Sequence, residues 1–235
     1  MALLYPRFRW FLLMSGLLTG FCLTARASHI VGGELELQYL GPTAATTHRI
    51  NLNLYFDDIN GDPDAINPTL YVGIFRKRDD VLVGTTTLNF VSNQLIAYTK
   101  PACSINSLRT RLIRYTTTVS FPQANFSDPD GYYMTWERCC RNDVIDNIVT
   151  PGGAGLAFYL EFPNPWSNGR ANPNSSPVFG EVNGDYACVQ KPFMFDFSAK
   201  DPDGDSLTYS LVTPYNGFST SDVPSPGSPN PITGR

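Results

Sequence analysis

Apolar and polar residues alternate along most of this chain, and this period of two constrains the fold more than any other feature. The clearest segments are ELELQYL at 34–40 and RINLNLYF at 49–56. Similar segments, rich in β-branched and aromatic residues, are TLYVGIF, VLVGTTTLNFV, RLIRYTTTVSF, GYYMTWERCC, GLAFYLEF, PFMFDFS and SLTYSLV. Because successive side chains of a strand point to opposite faces of a sheet, the pattern predicts half-buried strands. Helical periodicity is nearly absent, so the sequence predicts an all-β protein of the β-sandwich type.

The connections between these segments are rich in turn-forming residues, in a chain with 19 glycines and 19 prolines. The stretch PNPWSNGRANPNSSP at 163–177 is poor in β-branched residues, which predicts a linker or a long loop. We therefore place an N-terminal sandwich-type domain at 28–172 and the start of an immunoglobulin-like or cadherin-like domain at 173–235. Because two or so strands cannot bury a sandwich core, we expect this second domain to be truncated and the chain to be a fragment.

The first 27 residues have the three parts of a secretory signal peptide. Arg7 and Arg9 give a positive start, an apolar run from Trp10 to Leu23 follows, and Ala25 and Ala27 supply small residues near the end. The apolar run is shorter than the roughly 20 residues that a membrane-spanning helix needs. The sequence therefore predicts a signal peptide at 1–27, no further transmembrane segment, and a protein that is secreted or displayed on the outer cell surface.

The mature chain is acidic. Removal of the signal peptide takes away three arginines and no acidic residue, which changes the formal net charge from −4 to −7. Nucleic-acid binding requires clustered lysine and arginine, and no basic stripe occurs in this sequence. We therefore expect no nucleic-acid partner, whereas the charge is compatible with divalent cations.

Four cysteines remain after cleavage, namely Cys103, Cys139, Cys140 and Cys188. An even number in an exported chain favours disulfides. Zinc ligands usually come in pairs a few residues apart, whereas the only close pair here is adjacent. Adjacent strand residues point to opposite faces, so Cys139 and Cys140 each need their own partner. We expect one bridge to Cys103 and one to Cys188, with both pairings open.

Three aspartates, Asp201, Asp203 and Asp205, stand at alternate positions in SAKDPDGDSLTYSL. Calcium prefers several oxygen ligands, and these carboxylates could converge on one ion if the backbone curls around Gly204. The sequence therefore predicts a calcium site here. Plain turn chemistry is the alternative, because aspartate is also a preferred turn residue.

The surrounding spacing favours a cadherin-like site over an EF-hand, whose glycine and terminal glutamate are missing at the required positions. The segment NSSPVF at 174–179 resembles the end of a cadherin linker, and Asn174 and Glu181 are candidates for further ligands. A second acidic stretch, DDINGDPD at 57–64, predicts a solvated hairpin loop, with another ion site as the alternative.

Two enzyme signatures occur without the residues that would complete them. Ser206 lies in the lipase-like letters GDSL, but a nucleophilic serine needs a base, and the only histidines, His29 and His48, lie far upstream. The letters IVGGE at 30–34 match the activated N-terminus of trypsin-like proteases, whose serine and histidine motifs are missing from the sequence. We interpret Gly32-Gly33 as a bend before the first strand and His48 as a surface residue, and we predict no catalytic residue.

Sugar binding is a further use for a β sandwich that is rich in aromatic residues. Trp136, Trp166, Tyr132 and Tyr133 are available for stacking on sugar rings, although core packing is the expected use of most of them. Paired carboxylates for glycoside cleavage stay open at this point, because their separation is a property of the fold.

Several blocks of the sequence also resemble a known family. These blocks are SHIVGGELELQYLG, GYYMTWERCCRNDVIDNIVTPGGAG, NSSPVF and FMFDFSAKDPDGDSLTYSLVTPYNG. They are similar to the N-terminal region of large Bacteroidota cell-surface proteins of the gliding-motility-associated C-terminal domain type, most specifically in WERCCRN at 136–142. The resemblance implies an adhesin-like chain with downstream β repeats, exported by the type IX secretion system. Asp58 stands where many relatives have a cysteine, which implies that one of their disulfides is missing here.

Together these features predict a secreted or cell-surface, non-enzymatic adhesion or structural module, stiffened by calcium and associated with gliding. The alternative is a secreted carbohydrate-binding module or an accessory domain of a polysaccharide hydrolase. The expected partners are a surface glycan or a protein ligand, together with downstream domains of the same chain.

Overall fold

The computed structural model of the chain describes residues 30–42, 46–98, 109–139, 141, 145, 147–180, 182 and 187–217. Within these ranges the chain forms strands, two short 3-10 turns at Pro63–Ala65 and Pro151–Gly153, and no α-helix. The strands are β1 (Ile30–Pro42), β2 (Thr46–Asp57), β3 (Thr69–Arg76), β4 (Leu82–Leu95), β5 (Thr110–Phe121), β6 (Tyr132–Arg138), β7 (Leu156–Phe162), β8 (Trp166–Ser167), β9 (Arg170–Ala171), β10 (Val178–Phe179) and β11 (Ala199–Lys200). The predicted all-β class is confirmed. The signal peptide predicted at 1–27 lies outside the described residues.

Strands β1–β7 form one antiparallel sheet in the order β1-β2-β5-β4-β3-β6-β7. The sheet curls until its two edge strands approach each other. A methyl group on Gly33 of β1 would lie 3.2 Å from Cε1 of Phe158 in β7. The two halves of the sheet therefore face each other across one core, which gives a sandwich-like and nearly closed, barrel-like architecture.

A single apolar core fills the space inside the curled sheet. The buried side chains of this core are Ile30, Leu35, Leu37, Ile50, Leu52, Leu54, Phe56, Leu70, Val72, Ile74, Leu88, Ile113, Tyr115, Phe121, Phe126, Tyr132, Met134, Trp136, Leu156 and Phe162. They come mainly from alternate positions of β1–β7, because only every second side chain of a strand faces inward. The first seven segments predicted from alternation thus coincide with β1–β7.

Strand β6 is buried on both faces. Trp136 points into the core, whereas Tyr133 points outward and stacks on Phe75, with ring centroids 5.1 Å apart. Tyr159 of β7 lies against Tyr133, and Tyr215 packs on Tyr159 with ring centroids 5.2 Å apart. The segment around Tyr215 therefore covers the outer face of the sheet at this point.

The last two predicted strands, at PFMFDFS and SLTYSLV, are wrong. In residues 187–217 only β11 is a strand, and it pairs with β10 over two residues. Large apolar side chains in these segments, such as Met194 and Leu211, are exposed. Two short strands bury too little apolar surface to offset the entropy of ordering a longer sheet. The predicted boundary between residues 172 and 173 stays a prediction.

Residues 175 and 176 cover the outer edge of β1. The Ser176 N–H donates to the Leu37 carbonyl oxygen at 2.7 Å, and the Leu37 N–H donates to Ser176 Oγ at 3.0 Å. The Tyr39 N–H donates to Ser175 Oγ at 3.2 Å. These bonds satisfy backbone groups that an edge strand otherwise leaves unpaired. They also fix the segment that follows Ser176 beside the sheet.

His48 is a buried residue, so its prediction as a surface residue is wrong. It is two residues from Ile50 and therefore lies on the same inward face of β2. Its ring centroid lies 5.4 Å from that of Tyr39 and 5.2 Å from that of Phe121.

The acidic stretch 57–64 is not a hairpin loop, because β5 and β4 separate β2 from β3 in the sheet. It begins a crossover between the two halves of the sheet. Asp57 is buried, and its Oδ1 accepts hydrogen bonds from the N–H groups of Ile59 and Asn60 at 3.0 and 3.2 Å. Asp58 forms ion pairs with Arg109 and Arg111. Both carboxylates therefore stabilise the connection.

The Gly32-Gly33 pair lies within β1 and does not form a bend before it. The register with β2 shifts between Ile30 and Gly32, so the strand is irregular at this point. A methyl group on Gly33 would lie 2.5 Å from the carbonyl oxygen of Asn53. Position 33 therefore requires glycine because neighbouring backbone approaches it closely.

We expect the Gly33→Val variant to lose about 1 to 3 kcal/mol of unfolding free energy, because the added side chain cannot fit between β1, β2 and β7. Urea unfolding measures the change. Gly84→Val is the matched control, since Gly84 also lies in a strand but has open space around it. Equal stability of the two variants would contradict the close packing of β2 and β7 around Gly33.

Candidate functional site

An open cleft of about 1240 Å³ lies on the outer face of the curled sheet. Its floor is formed by four neighbouring strands, β1, β2, β5 and β4, which contribute Glu34, Asn53, Arg114 and Asn89 among others. Ligand pockets commonly enclose about 300 to 1000 Å³. This cleft therefore has room for an extended ligand of several units.

The floor is polar because of the same alternation that builds the core. In β1 the buried Leu35 separates Glu34 from Glu36, and β2 places Asn51 and Asn53 at corresponding positions. The pairing of β1 with β2 sets Glu34 opposite Asn53 and Glu36 opposite Asn51. Each carboxylate thus faces an amide across the strand pair.

Hydrogen bonds hold Glu34 in one position. Its Oε1 accepts from Asn53 Nδ2 at 3.0 Å, and the Tyr55 hydroxyl donates to both carboxylate oxygens at 2.9 and 3.0 Å. The same Asn53 nitrogen also donates to Oε1 of Glu36 at 3.3 Å. One amide therefore links the two carboxylates.

The network continues across the sheet to β5. Asn51 Nδ2 donates to Oε2 of Glu36 at 3.0 Å, and the Thr116 hydroxyl donates to Oδ1 of Asn51 at 2.9 Å. Thr116 Oγ1 also contacts the carbonyl oxygen of Ile50 at 3.1 Å. The polar side chains of the floor are thus oriented before any ligand arrives, which reduces the entropy lost on binding.

The environment of Glu34 disfavours its charge. Burial raises the pKa of the Glu34 carboxyl above its usual value, and the nearby charge of Glu36 adds to this rise. Hydrogen bonds from Asn53 and Tyr55 and the charge of Arg114 lower that pKa but do not cancel the rise. Burial and the charge of Glu34 also raise the pKa of the Tyr55 phenol, which stays a hydrogen-bond donor. Perturbed groups of this kind in a cleft are typical of functional sites.

The formal charges of the described residues that line the cleft cancel. The charged residues of the lining are two carboxylates, Glu34 and Glu36, and two guanidinium groups, Arg49 and Arg114. Amide and hydroxyl groups make up much of the remaining polar lining. The cleft therefore offers both donors and acceptors without a strong field of either sign.

Apolar side chains form the walls. Val178 and Phe179 belong to the segment that Ser176 anchors beside β1, and Val91 and Leu95 come from β4 on the opposite side of the floor. Phe179 is 47% exposed and Val91 is 55% exposed. A ligand in the cleft would therefore meet a polar floor and apolar walls.

The aspartates predicted to bind calcium lie in a turn and already accept hydrogen bonds. Asp201 Oδ1 accepts from the N–H groups of Asp203 and Asp205 at 2.8 and 3.3 Å, and Asp203 Oδ2 accepts from the Ser175 N–H at 2.5 Å. Asn174 donates its side-chain N–H to the carbonyl oxygen of Ser175 at 2.9 Å. In the described part of the chain, no three acidic, histidine or cysteine side chains are arranged to hold a metal ion. Calcium binding stays a prediction.

The cysteines predicted to form disulfides are described only in part. Cys139 and Cys188 are disulfide-bonded. Cys103 and Cys140, like the candidate ligand Glu181, lie outside the described residues. The connectivity therefore stays a prediction.

The aromatic residues considered for sugar stacking belong to the core. Trp136, Tyr132 and Tyr133 are buried, and Trp166 is partly buried with its indole N–H donating to the Phe121 carbonyl oxygen at 2.7 Å. Ser206, in the lipase-like letters, is exposed, and the His48 ring lies between the rings of Tyr39 and Phe121.

Sequence reasoning identified the inward residues of β1 and β2 and missed the outward ones that form the cleft floor. The available signal was the pattern of Glu34 and Glu36 facing Asn51 and Asn53. Such short polar side chains on neighbouring strands can bond to each other and to a ligand. The sequence alone could not show which strands pair, so the hydrogen bonds between the carboxylates of β1 and the amides of β2 could not be predicted.

Comparison with known protein families, with curated proteins and with solved structures found no match to this chain. Among the described residues, no helix is both long enough and apolar enough to cross a membrane.

Glu34→Gln tests whether the fold needs the carboxylate. A carboxyl group with a raised pKa binds its proton more tightly in the folded protein, so its stabilising contribution is present below about pH 4.5 and is lost as the pH rises through the raised value. We therefore expect Glu34→Gln at about pH 7 to leave the unfolding free energy unchanged or to raise it by up to about 1 kcal/mol. The difference should shrink at about pH 4. Urea unfolding at both pH values measures this, and a loss of more than about 1 kcal/mol at pH 7 would show that the carboxylate serves the fold.

Proposed function

We propose that this protein is a secreted or cell-surface, non-enzymatic adhesion module and that the cleft over β1, β2, β5 and β4 is its ligand-binding surface. The observation that carries this proposal is the network on the cleft floor, in which Asn53 links Glu34 to Glu36. Burying a carboxylate in a setting that raises its pKa costs folding free energy. A role of the oriented carboxylates in ligand binding would explain why the protein keeps a feature that costs folding free energy.

The position of the carboxylates supports binding more than cleavage. Glycosidases place two carboxyl groups on opposite sides of the scissile bond, roughly 5 to 10 Å apart. Glu34 and Glu36 instead lie on one face of one strand and share a hydrogen-bond donor in Asn53. Both would therefore lie on the same side of a ligand.

Export and surface display are supported by two features of the sequence. One is the signal-peptide pattern at 1–27, and the other is the resemblance of WERCCRN at 136–142 to gliding-associated surface proteins of the type IX secretion system. The disulfide bonds of Cys139 and Cys188 suit an oxidising compartment outside the cytoplasm. Gliding association and attachment to downstream domains are parts of the same proposal.

We expect the full chain to bind at least one component of an array of glycans and extracellular proteins and to leave it intact. Arg114→Glu should weaken that binding, because it reverses one of the four charges of the described cleft lining, whereas Arg170→Glu, at an exposed arginine outside the lining, should not. Array binding followed by a hydrolysis screen measures both properties. Turnover of a bound polysaccharide would favour the hydrolase alternative. Binding that is unchanged by Arg114→Glu would contradict the proposal that the cleft is the ligand-binding surface.

The proposal includes calcium as a stiffening ion at Asp201, Asp203 and Asp205, but the cleft does not depend on it. If calcium binds there, the melting temperature should rise when calcium is added and fall when a chelator removes it, since a ligand of the native state stabilises that state. The triple variant Asp201→Ala, Asp203→Ala, Asp205→Ala removes the carboxylates and is the control, and its melting temperature should not respond to calcium. Identical melting curves of the unaltered chain with calcium and with chelator would contradict calcium binding at these three aspartates.

A further inference from the structure

The chemistry of the cleft indicates which class of ligand it takes, and this inference rests on the proposed function. The hydrogen bonds described above use three of the roughly four acceptor positions of the Glu34 carboxylate and two of those of Glu36. The carboxylates of the cleft floor can therefore accept further hydrogen bonds from hydroxyl or N–H groups of a ligand. The guanidinium group of Arg114 supplies donors at the same floor.

The balance of charge argues for an uncharged ligand. Among the described residues that line the cleft, two carboxylates are matched by two guanidinium groups, so this part of the cleft gives neither an anionic nor a cationic polymer a net electrostatic attraction. A ligand whose groups both donate and accept hydrogen bonds matches this mixture best. Sugar hydroxyl groups do both.

The apolar walls of the cleft suit a sugar as well, because one face of a sugar ring carries C–H groups and is apolar. Phe179 lines the cleft with nearly half of its surface exposed, and Val91 and Leu95 lie on the opposite wall. An exposed aromatic ring beside a polar floor provides a flat apolar surface for such a face. The anchoring of Ser176 to Leu37 holds the segment that carries Phe179 beside the floor.

A peptide fits the cleft less well. Extended peptides usually bind by adding a strand to a free sheet edge. The floor is the face of the sheet, and β2 and β5 have a hydrogen-bonded neighbour on both sides. The residues of the β1 edge next to the cleft wall are covered by Ser175 and Ser176. The floor therefore offers side chains and no free backbone ladder.

We propose that the cleft binds an uncharged oligosaccharide, with one sugar ring against Phe179 and sugar hydroxyl groups donating to the carboxylate of Glu34, which the buried Glu36 supports through Asn53. The volume of about 1240 Å³ exceeds that of pockets for single small molecules, so several sugar units are engaged at once.

Calorimetric titration of the full chain tests this inference. The neutral probes are the hexasaccharides of cellulose, xylan, mannan and amylose, and the comparison probes are the galacturonate and alginate hexamers and a neutral, soluble hexapeptide. We expect at least one neutral hexasaccharide to bind more tightly than its monosaccharide and than all comparison probes. Glu34→Gln should weaken that binding at least about 10-fold, because a hydrogen bond to a charged acceptor is lost.

Substitutions of Phe179 separate stacking from general loss of fold. Phe179→Leu should weaken binding about 5-fold or more, and Phe179→Tyr should retain it because the ring is kept. Phe193→Leu is the matched control, since Phe193 is 41% exposed and does not line the cleft. Sugar binding that is unchanged by Glu34→Gln and Phe179→Leu would overturn the inference.

The remaining outcomes distinguish this inference from the proposed function. Binding of only the acidic hexamers or the peptide, with sensitivity to Phe179→Leu and Arg114→Glu, would overturn the neutral-sugar inference and leave the cleft as an adhesion surface. Absence of binding by every neutral hexasaccharide would also overturn the inference. Array binding that is unchanged by every cleft substitution would overturn both the neutral-sugar inference and the proposed function of the cleft.

Discussion

The close approach of β1 to β7 encloses one apolar interior, and most other features of the structure follow from that enclosure. Gly33 permits the approach because it carries no side chain where Asn53 and Phe158 come near. Each large apolar side chain that the closed sheet buries contributes roughly 1.5 to 3 kcal/mol. An open sheet would leave much of this surface in water. The closure also brings β1 to a position where residues 175 and 176 cover its remaining edge.

Enclosing the core on one side of the strands forces their other side chains outward. On β1 and β2 these outward residues are carboxylates, amides and a tyrosine that bond to one another. Such a network restricts rotamers and keeps a carboxylate partly out of water, which opposes folding slightly. Burial of the apolar core offsets this cost. The anchored segment after Ser176 adds a wall to the outer face of the curled sheet and so forms one side of the cleft.

Much of the fold could be predicted from local pattern. Period-two alternation located β1–β7 because inward and outward positions differ in polarity wherever a strand has one buried face. The same pattern failed at 192–198 and 206–212, where alternation exists but the described part of the chain supplies no partner strand. It also misassigned His48, whose polar side chain occupies an inward position among aromatic rings. The acidic stretch after β2 has the composition of a hairpin turn, yet the sheet order makes it a crossover.

The sequence by itself determined which residues can form strands and which side of each strand is apolar, because this information resides in the spacing of neighbouring residues. It also determined the signal-peptide pattern and the set of cysteines. Only the tertiary structure decided that β1 pairs with β2 in a register that sets Glu34 opposite Asn53, and that Phe179 forms a wall beside them. Strand order and register depend on contacts between residues far apart in the chain, where the closure of the whole sheet, and not any local preference, selects the partner.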